Sequence, residues 1–309
     1  MDKRDWDARL RRETFAWLRE PSRYEAVIDR NRLEKAFTLE GRTVSLMGPK
    51  GIFTPKDCLY PLSVTTVWEG PYSDHFADED RLLYSYRGAA LPADGREYPD
   101  NLGLRRAMTD RIPLVYFCAV ARGRYYPAWP VYIVADDPQR RIFTLVTDFV
   151  TALPGEGNPP WMLGEPDDPE IRRRWSLATV RVRYHQQAFR ERVIEAYRSH
   201  CAMCRLRERS LLDAAHIIGD AEPAGTAAVT NGLALCKIHH AAFDQHLLAV
   251  RPDYRIEVSP RILTETDGPM LEIGFQALHG TTIWLPGRAR DRPSRERLEE
   301  RWQRFREAS

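Results

Sequence analysis

No apolar run in this chain approaches the roughly 20 residues that crossing a bilayer requires. The N-terminal MDKRDWDARLRRETF has no apolar stretch behind its charges, so no secretory leader is expected either. Cysteine is scarce, at five residues, and an odd number without an export signal disfavours a disulfide framework. Charge of one sign is also missing. The 46 Lys+Arg against 44 Asp+Glu leave a net +2, so the global field does not mark a nucleic-acid binder. Internal repeats and low-complexity tracts are absent. What remains is the profile of a cytoplasmic, water-soluble protein. Its 309 residues, 43% hydrophobic with 8 Trp, 13 Tyr and 11 Phe, supply packed cores for about two domains.

Lysine is rarer still than arginine suggests, with five in the whole chain. Between Glu170 and Ser210 eleven Arg and no Lys stand against four Glu, a local excess of +7. Such a stretch suits either a phosphate backbone or a solvated helix face.

Residues 4–19 and 22–37 show helical spacing, separated by Pro21, and a hairpin-like stretch follows around Glu40-Gly41. From Gly48 to Asp148 short β-rich runs take over, among them YPLSVTTVW, RLLYSYRG, IPLVYFCAV, WPVYIV and RIFTLVTDFV, with one helix at NLGLRRAM. This pattern predicts a compact β-barrel or curled sheet behind a helical preface of about residues 1–40. The Pro/Gly/acid-rich 152–170 reads as a linker. It divides the chain into 1–151 and 171–309, an α+β protein overall. In the second part HQQAFRERVIEAYRSH and PSRERLEERWQRFREAS are amphipathic helices, the latter opened by Ser294 as N-cap.

Cys201-Ala-Met-Cys204 and Cys236-Lys-Ile-His239 are two pairs at x2 spacing, 31 residues apart. Each pair lets one short turn offer two ligands, and together they make a closed tetrahedral Cys3His site for structural Zn2+. Cys58 and Cys118, in DCLYPL and VYFCAV, are expected as buried, inert thiols. Between the zinc pairs LLDAAHIIGD reads as a strand, and the segment from about Cys236 as a helix. On that helix His239 and His240 project about 100° apart, so one can face zinc while the other does not. His240 and Asp244, at i and i+4, share a face and could hold a second metal.

Framed by these half-sites, His216, Asn231 and His240 resemble the HNH motif of the ββα-metal nucleases, over about residues 185–250. The resemblance implies that His216 is the general base, that Asn231 braces the loop and orients that base, and that His240 binds a catalytic divalent ion, Mg2+ or Mn2+. The chemistry agrees: phosphodiester hydrolysis wants a proton acceptor with a near-neutral pKa and a hard cation. Many relatives carry a metal ligand immediately before the base, where this chain has Ala215. Asp213, on the same strand face as residue 215, can replace it.

The β-rich part offers aromatics and an acid: Gly70-Pro-Tyr72-Ser-Asp74, Tyr84-Ser-Tyr86-Arg-Gly88, Asp100-Asn101-Leu-Gly-Leu104 and Tyr125-Tyr126-Pro-Ala-Trp129. An extruded base needs aromatic faces and an acceptor for its exocyclic amine. The order resembles the SRA (SET and RING associated) domain, a relative of PUA-like barrels. The resemblance implies that Tyr72 and Tyr86 stack on a flipped 5-methylcytosine or 5-hydroxymethylcytosine, which Asp74 reads. The YDG tripeptide of that family stands here as Tyr125-Tyr126-Pro127. Together these readings predict a modification-dependent restriction endonuclease acting on double-stranded DNA, as a homodimer with one site per strand. Two alternatives are an HNH nuclease whose barrel binds unmodified DNA or RNA, and a non-catalytic zinc DNA-binding protein.

Overall fold

Asp2 opens α1 (Lys3–Arg19) by accepting from the Arg4 N–H, and the helix buries Trp6, Leu10, Trp17 and Leu18 along one face. Asp7 and Arg11 lie on that buried face one turn apart, paired at 2.6 Å. Neither charge is left unsatisfied. Asp7 accepts from the N–H groups of Leu59 and Tyr60, and Arg11 donates to the carbonyls of Tyr60, Pro61 and Pro113. The helix is thereby pinned at two chain segments remote in sequence.

The computed structural model describes residues 2–20, 27–66, 82–88, 95–147, 169–220, 222, 225–266 and 268–308, with backbone alone over 169–181. The chain divides into two units, Met1–Gln187 and Ala188–Ser309.

In the first unit the start of the expected second helix, residues 22–26, lies outside the described residues; from 27 to 37 the helix is confined to α2 (Arg30–Glu34), preceded by β1 (Ile28–Asp29) and followed by β2 (Phe37–Leu39) and β3 (Arg42–Val44). Ile28 is drawn into a ladder with Tyr125, and Phe37 pairs with Val44, so strand pairing at both ends overrides the helical spacing. The β2–β3 turn is the expected one, with Glu40 and Gly41 at φ 50° and 75° as a two-residue hairpin requires.

The remaining elements are β4 (Ile52–Phe53), β5 (Ser63–Thr65), β6 (Leu82–Ser85), α3 (Pro99–Thr109), β7 (Leu114–Ala121), β8 (Arg124–Asp137) and β9 (Ile142–Thr147). They form a seven-stranded sheet in the order β4-β5-β7-β8-β9-β6, with β1 joining β8. Only β5–β7 is parallel. All eight residues of β7 are buried, which is what the unbroken run LVYFCAVA demands. β8 shifts register against β7 and against β9, and such bulges curl a sheet. Among the described residues the sheet is open and curled, the second of the two forms the sequence suggested, and not a closed barrel.

α4 (Pro169–Ala196) begins earlier than the spacing of 185–200 indicated, and the division between the units falls inside it. The expected linker lies outside the described residues up to position 168. The second unit continues with β10 (Leu212–His216), β11 (Gly232–Cys236), α5 (Lys237–Asp244), β12 (Leu248–Val250), β13 (Ile256–Val258), α6 (Pro260–Thr264), α7 (Pro269–Gly274) and α8 (Arg295–Ala308). Ser294 caps α8 by accepting from the Arg297 N–H. Phe189, Val193, Tyr197, Leu212, Leu233, Leu235, Phe243 and Leu298 form the core of this unit around the β10–β11 hairpin. Among the described residues no helix is long and apolar enough to cross a membrane.

Candidate active site

β10, β11 and α5 form a ββα unit in which Leu212 pairs with Cys236 and His216 with Gly232. The end of β11 and the first turn of α5 therefore carry Cys236, His239 and His240 in one short stretch, with Cys201 and Cys204 on the loop after α4. The ligand atoms of Cys201, Cys204, Cys236 and His239 all lie within 4.8 Å of one another. Cys204 Sγ is 3.9 Å from Cys236 Sγ, and His239 Nδ1 is 3.5 and 3.2 Å from the sulfurs of Cys201 and Cys236. A tetrahedral zinc with bonds of about 2.3 Å to sulfur sets S···S edges of about 3.8 Å, so the cluster fits that ion. His239 Nε2 lies 2.8 Å from the Gly274 carbonyl at the end of α7, which leaves Nδ1 toward the sulfurs. Burial alone would lower the pKa of His239, but the sulfurs and that carbonyl outweigh it and push it up to about 10.

His216 ends β10 and is half-buried. Its ring stacks on Phe189 of α4 at 4.0 Å and 13°. Gly232, directly across the ladder, makes room: a Cβ there would come within 2.5 Å of Val193 and 2.9 Å of Phe189. Nε2 is enclosed with no hydrogen-bond partner among the described residues. Burial lowers the His216 pKa and His240 adds to the effect, against the pull of Asp220, Asp244 and Asp213. Burial thus favours the neutral form of the imidazole.

Asn231 is fully buried and closes the loop between the two strands. Its Oδ1 accepts from the Ile218 N–H, and its Nδ2 donates to the carbonyls of Ile218 and Thr226, all at 3.0 Å. The loop that leaves His216 is thereby held against the one that enters β11.

His240 lies between two carboxylates. Nδ1 is 3.3 Å from Asp213 and Nε2 is 3.3 Å from Asp244. Arg190 Nε stands 3.6 Å behind Asp213, and Arg301 of α8 stands 4.0 Å behind Asp244 while donating to the Phe243 carbonyl at 2.9 Å. Burial would lower the His240 pKa, but the two carboxylates raise it. Because the carboxylates meet opposite edges of the ring, Asp213, His240 and Asp244 do not converge on one point. Among the described residues only the Cys3His group brings three or more such ligands together. The pairs His240–Asp213 and His240–Asp244 are each suited to a hard cation that completes its shell with water and substrate phosphate.

Phe189, Arg190 and Arg301 escaped the sequence reading. No local pattern signals them, since each reaches the site from a helix remote in the chain. Several arginines of the 170–210 stretch serve the fold. Arg190 donates to Leu212 O, Arg192 to Ala227 O, and Arg209 pairs with the fully buried Glu191. Cys58 and Cys118 are free; Cys118 is buried as expected, whereas Cys58 is only half-buried, with desolvation pushing its thiol up to about 12.

Tyr72 and Asp74 lie outside the described residues. Tyr86 is 6% exposed; Phe143 stacks on it at 4.5 Å, Arg105 and Arg141 lie over the ring at 5.2 and 4.9 Å, and Arg105 donates to its hydroxyl. An extruded base finds no open face on Tyr86 in this arrangement.

Residues 201–251 match the model of the HNH endonuclease family. This segment, which holds the four cluster ligands with His216, Asn231 and His240, is an HNH endonuclease domain. No curated protein matches the chain. One similar solved structure is a modification-dependent TagI restriction endonuclease, with 13% identity over 79% of this chain and 81% of that one. Its TM-score is 0.29, too slight a likeness to bear on function.

Proposed function

We propose that this protein is a modification-dependent DNA endonuclease that hydrolyses phosphodiester bonds at His216. The observation that carries the reading is a half-buried imidazole at the end of β10, stacked on Phe189 and one loop from Asn231, in a hairpin whose second strand leads into the Cys3His cluster and His240. A purely structural zinc module has no use for that second set.

With Nε2 enclosed, Nδ1 is the nitrogen of His216 open to water. It takes a proton from the attacking water as the oxygen bonds to phosphorus. The P–O bond to the sugar breaks, and the leaving oxygen is protonated from solvent. Phe189 keeps the ring neutral and fixed in plane, and Asn231 holds the backbone on which it sits. Mg2+ or Mn2+ at His240, with Asp213 or Asp244, would supply positive charge against the charge developing on the leaving oxygen. Zn2+ in the Cys3His cluster would hold α5 to the hairpin.

The N-terminal unit is read as the selector of 5-methylcytosine or 5-hydroxymethylcytosine, on the order of its Tyr72, Asp74 and Asn101 segments. Tyr72 would stack on the extruded base and Asp74 would accept from its N4 amine. Tyr86, already covered by Phe143 and two guanidinium groups, then serves as packing. Two chains, one site per strand, make the double cut. The enclosed Tyr86 favours a second reading, in which this unit binds unmodified DNA or RNA. Matched plasmids with and without cytosine methylation, incubated with Mg2+ and with Mn2+, separate the two. The first reading expects cleavage of the methylated plasmid alone; equal cleavage of both would remove the modification dependence.

A further inference from the structure

The first unit holds a half-open cavity of ≈ 550 Å³ that the reading above does not use. Three cations line it, each from a different segment: Arg30 at the start of α2, Lys50 in the Gly48–Gly51 loop before β4, and Arg122 in the turn between β7 and β8. Among the described residues no carboxylate lines it. Arg30 is paired with Glu34, which leaves Lys50 and Arg122 as the two cations of this hollow that need another source of negative charge.

Arg30 organises the place. Its Nη2 donates to the Gly48 carbonyl at 3.2 Å, its backbone N–H donates to the Gly123 carbonyl at 2.8 Å, and its Nε donates to Glu34 at 2.8 Å. One residue thus ties the Lys50 loop to the Arg122 turn. Gly51 lets the loop press against the sheet, since a Cβ there would stand 2.7 Å from the Tyr84 hydroxyl. Lys50 and Arg122 are exposed and have no ion-pair partner among the described residues. The Thr65 hydroxyl, on the same wall, is enclosed without a partner among the described residues.

A hollow with a preformed frame, two free cations at its mouth and no acid among its described lining residues favours a compact oxyanion over a metal ion. Guanidinium and ammonium groups together are the usual ligands of phosphate. We propose that this cavity is a phosphate subsite of the first unit, taking a backbone phosphodiester of duplex DNA, with Lys50 and Arg122 as its ligands. The proposal rests on the DNA reading above and adds to it a contact separate from the hydrolytic residues.

The test is the affinity of the full chain for a labelled methylated duplex over a series of salt concentrations, for wild type, Lys50→Ala/Arg122→Ala and Lys50→Arg. The double variant should bind about tenfold more weakly at low salt, and its plot of log affinity against log salt should be shallower by about one unit for each phosphate released. Its cleavage rate at saturating DNA and its melting midpoint should match wild type, and Lys50→Arg should bind as wild type does. Unchanged affinity and slope in the double variant would overturn the proposal while leaving the nuclease reading intact. Inorganic phosphate provides the second arm. If it stabilises wild type but not the double variant, and DNA binding is the same in both, the cavity serves a free phosphate compound and the proposal is also overturned. A wild type that neither binds nor cuts DNA would instead sink the nuclease reading on which this rests.

Discussion

His239 and His240 are neighbours on α5, yet the clusters around them are built on opposite plans. Around His239 four ligand atoms converge within 4.8 Å, and one ring nitrogen is turned to the sulfurs while the other is tied to Gly274. Around His240 the two carboxylates stand on opposite edges of the ring, each backed by an arginine, and nothing converges. The first arrangement leaves no coordination position open, as a structural metal requires. The second offers at most two protein ligands to one ion and leaves the rest of the shell to water and phosphate, as hydrolysis requires. A helix turn of about 100° per residue is enough to separate a convergent cluster from a divergent one.

The largest effect should come from the convergent cluster. Cys236→Ala removes one of four ligands, and metal affinity in such small units is folding free energy, on the order of 10 kcal/mol. Purified wild type should carry one zinc per chain by elemental analysis, and the variant should lose both zinc and protease resistance across 188–309. Full protection without zinc would break the comparison from this side.

Next come the substitutions at the divergent cluster. His240→Ala should keep zinc and fold but lose cleavage by at least the roughly 10²- to 10⁴-fold that a single catalytic group supplies. Asp213→Ala and Asp244→Ala sharpen the assignment. The carboxylate that pairs with His240 on the cation should, when removed, raise the Mg2+ or Mn2+ concentration needed for half-maximal cleavage, and the other should not. Equal shifts in both would mean that the ring reorients and that the two edges are not distinct.

The smallest effect belongs to Phe189. Only neutral His216 accepts a proton, so cleavage must fall as pH drops through its pKa, which burial holds below the ordinary value of about 6.5. Phe189→Leu thins that cover while keeping an apolar side chain, and Asp220, Asp244 and Asp213 then pull the pKa upward. The acid limb of the rate profile should move to higher pH by a fraction of a unit with zinc content unchanged. An unmoved limb would reduce Phe189 to packing.

How much of this was legible depends on the range of the forces involved. Helix α1, the Glu40-Gly41 hairpin, the Ser294 cap and the two x2 ligand pairs are set by residues within a few positions of one another, and spacing alone finds them. The 22–37 segment follows helical spacing too, but its outcome is decided by pairing of Ile28 with Tyr125 nearly a hundred residues later. The site divides in the same way. His216, Asn231 and His240 stand out by motif, whereas the Phe189 stack, the Arg190 and Arg301 backing and the opposed carboxylates exist only once α4 and α8 pack on the hairpin. Tyr86 shows the reverse case. A tyrosine in the right order along the chain resembled a stacking platform, but Phe143 and two guanidinium groups already cover its ring.

The central claim is that chemistry resides at His216 while the Cys3His cluster only holds the scaffold. It is tested most directly by comparing wild type and His216→Ala in a plasmid-cleavage time course with Mg2+, with zinc content and duplex affinity measured on the same preparations. The account predicts equal zinc, equal DNA affinity and a loss of at least about 10² in cleavage rate for the variant. Cleavage by His216→Ala at the wild-type rate would contradict it.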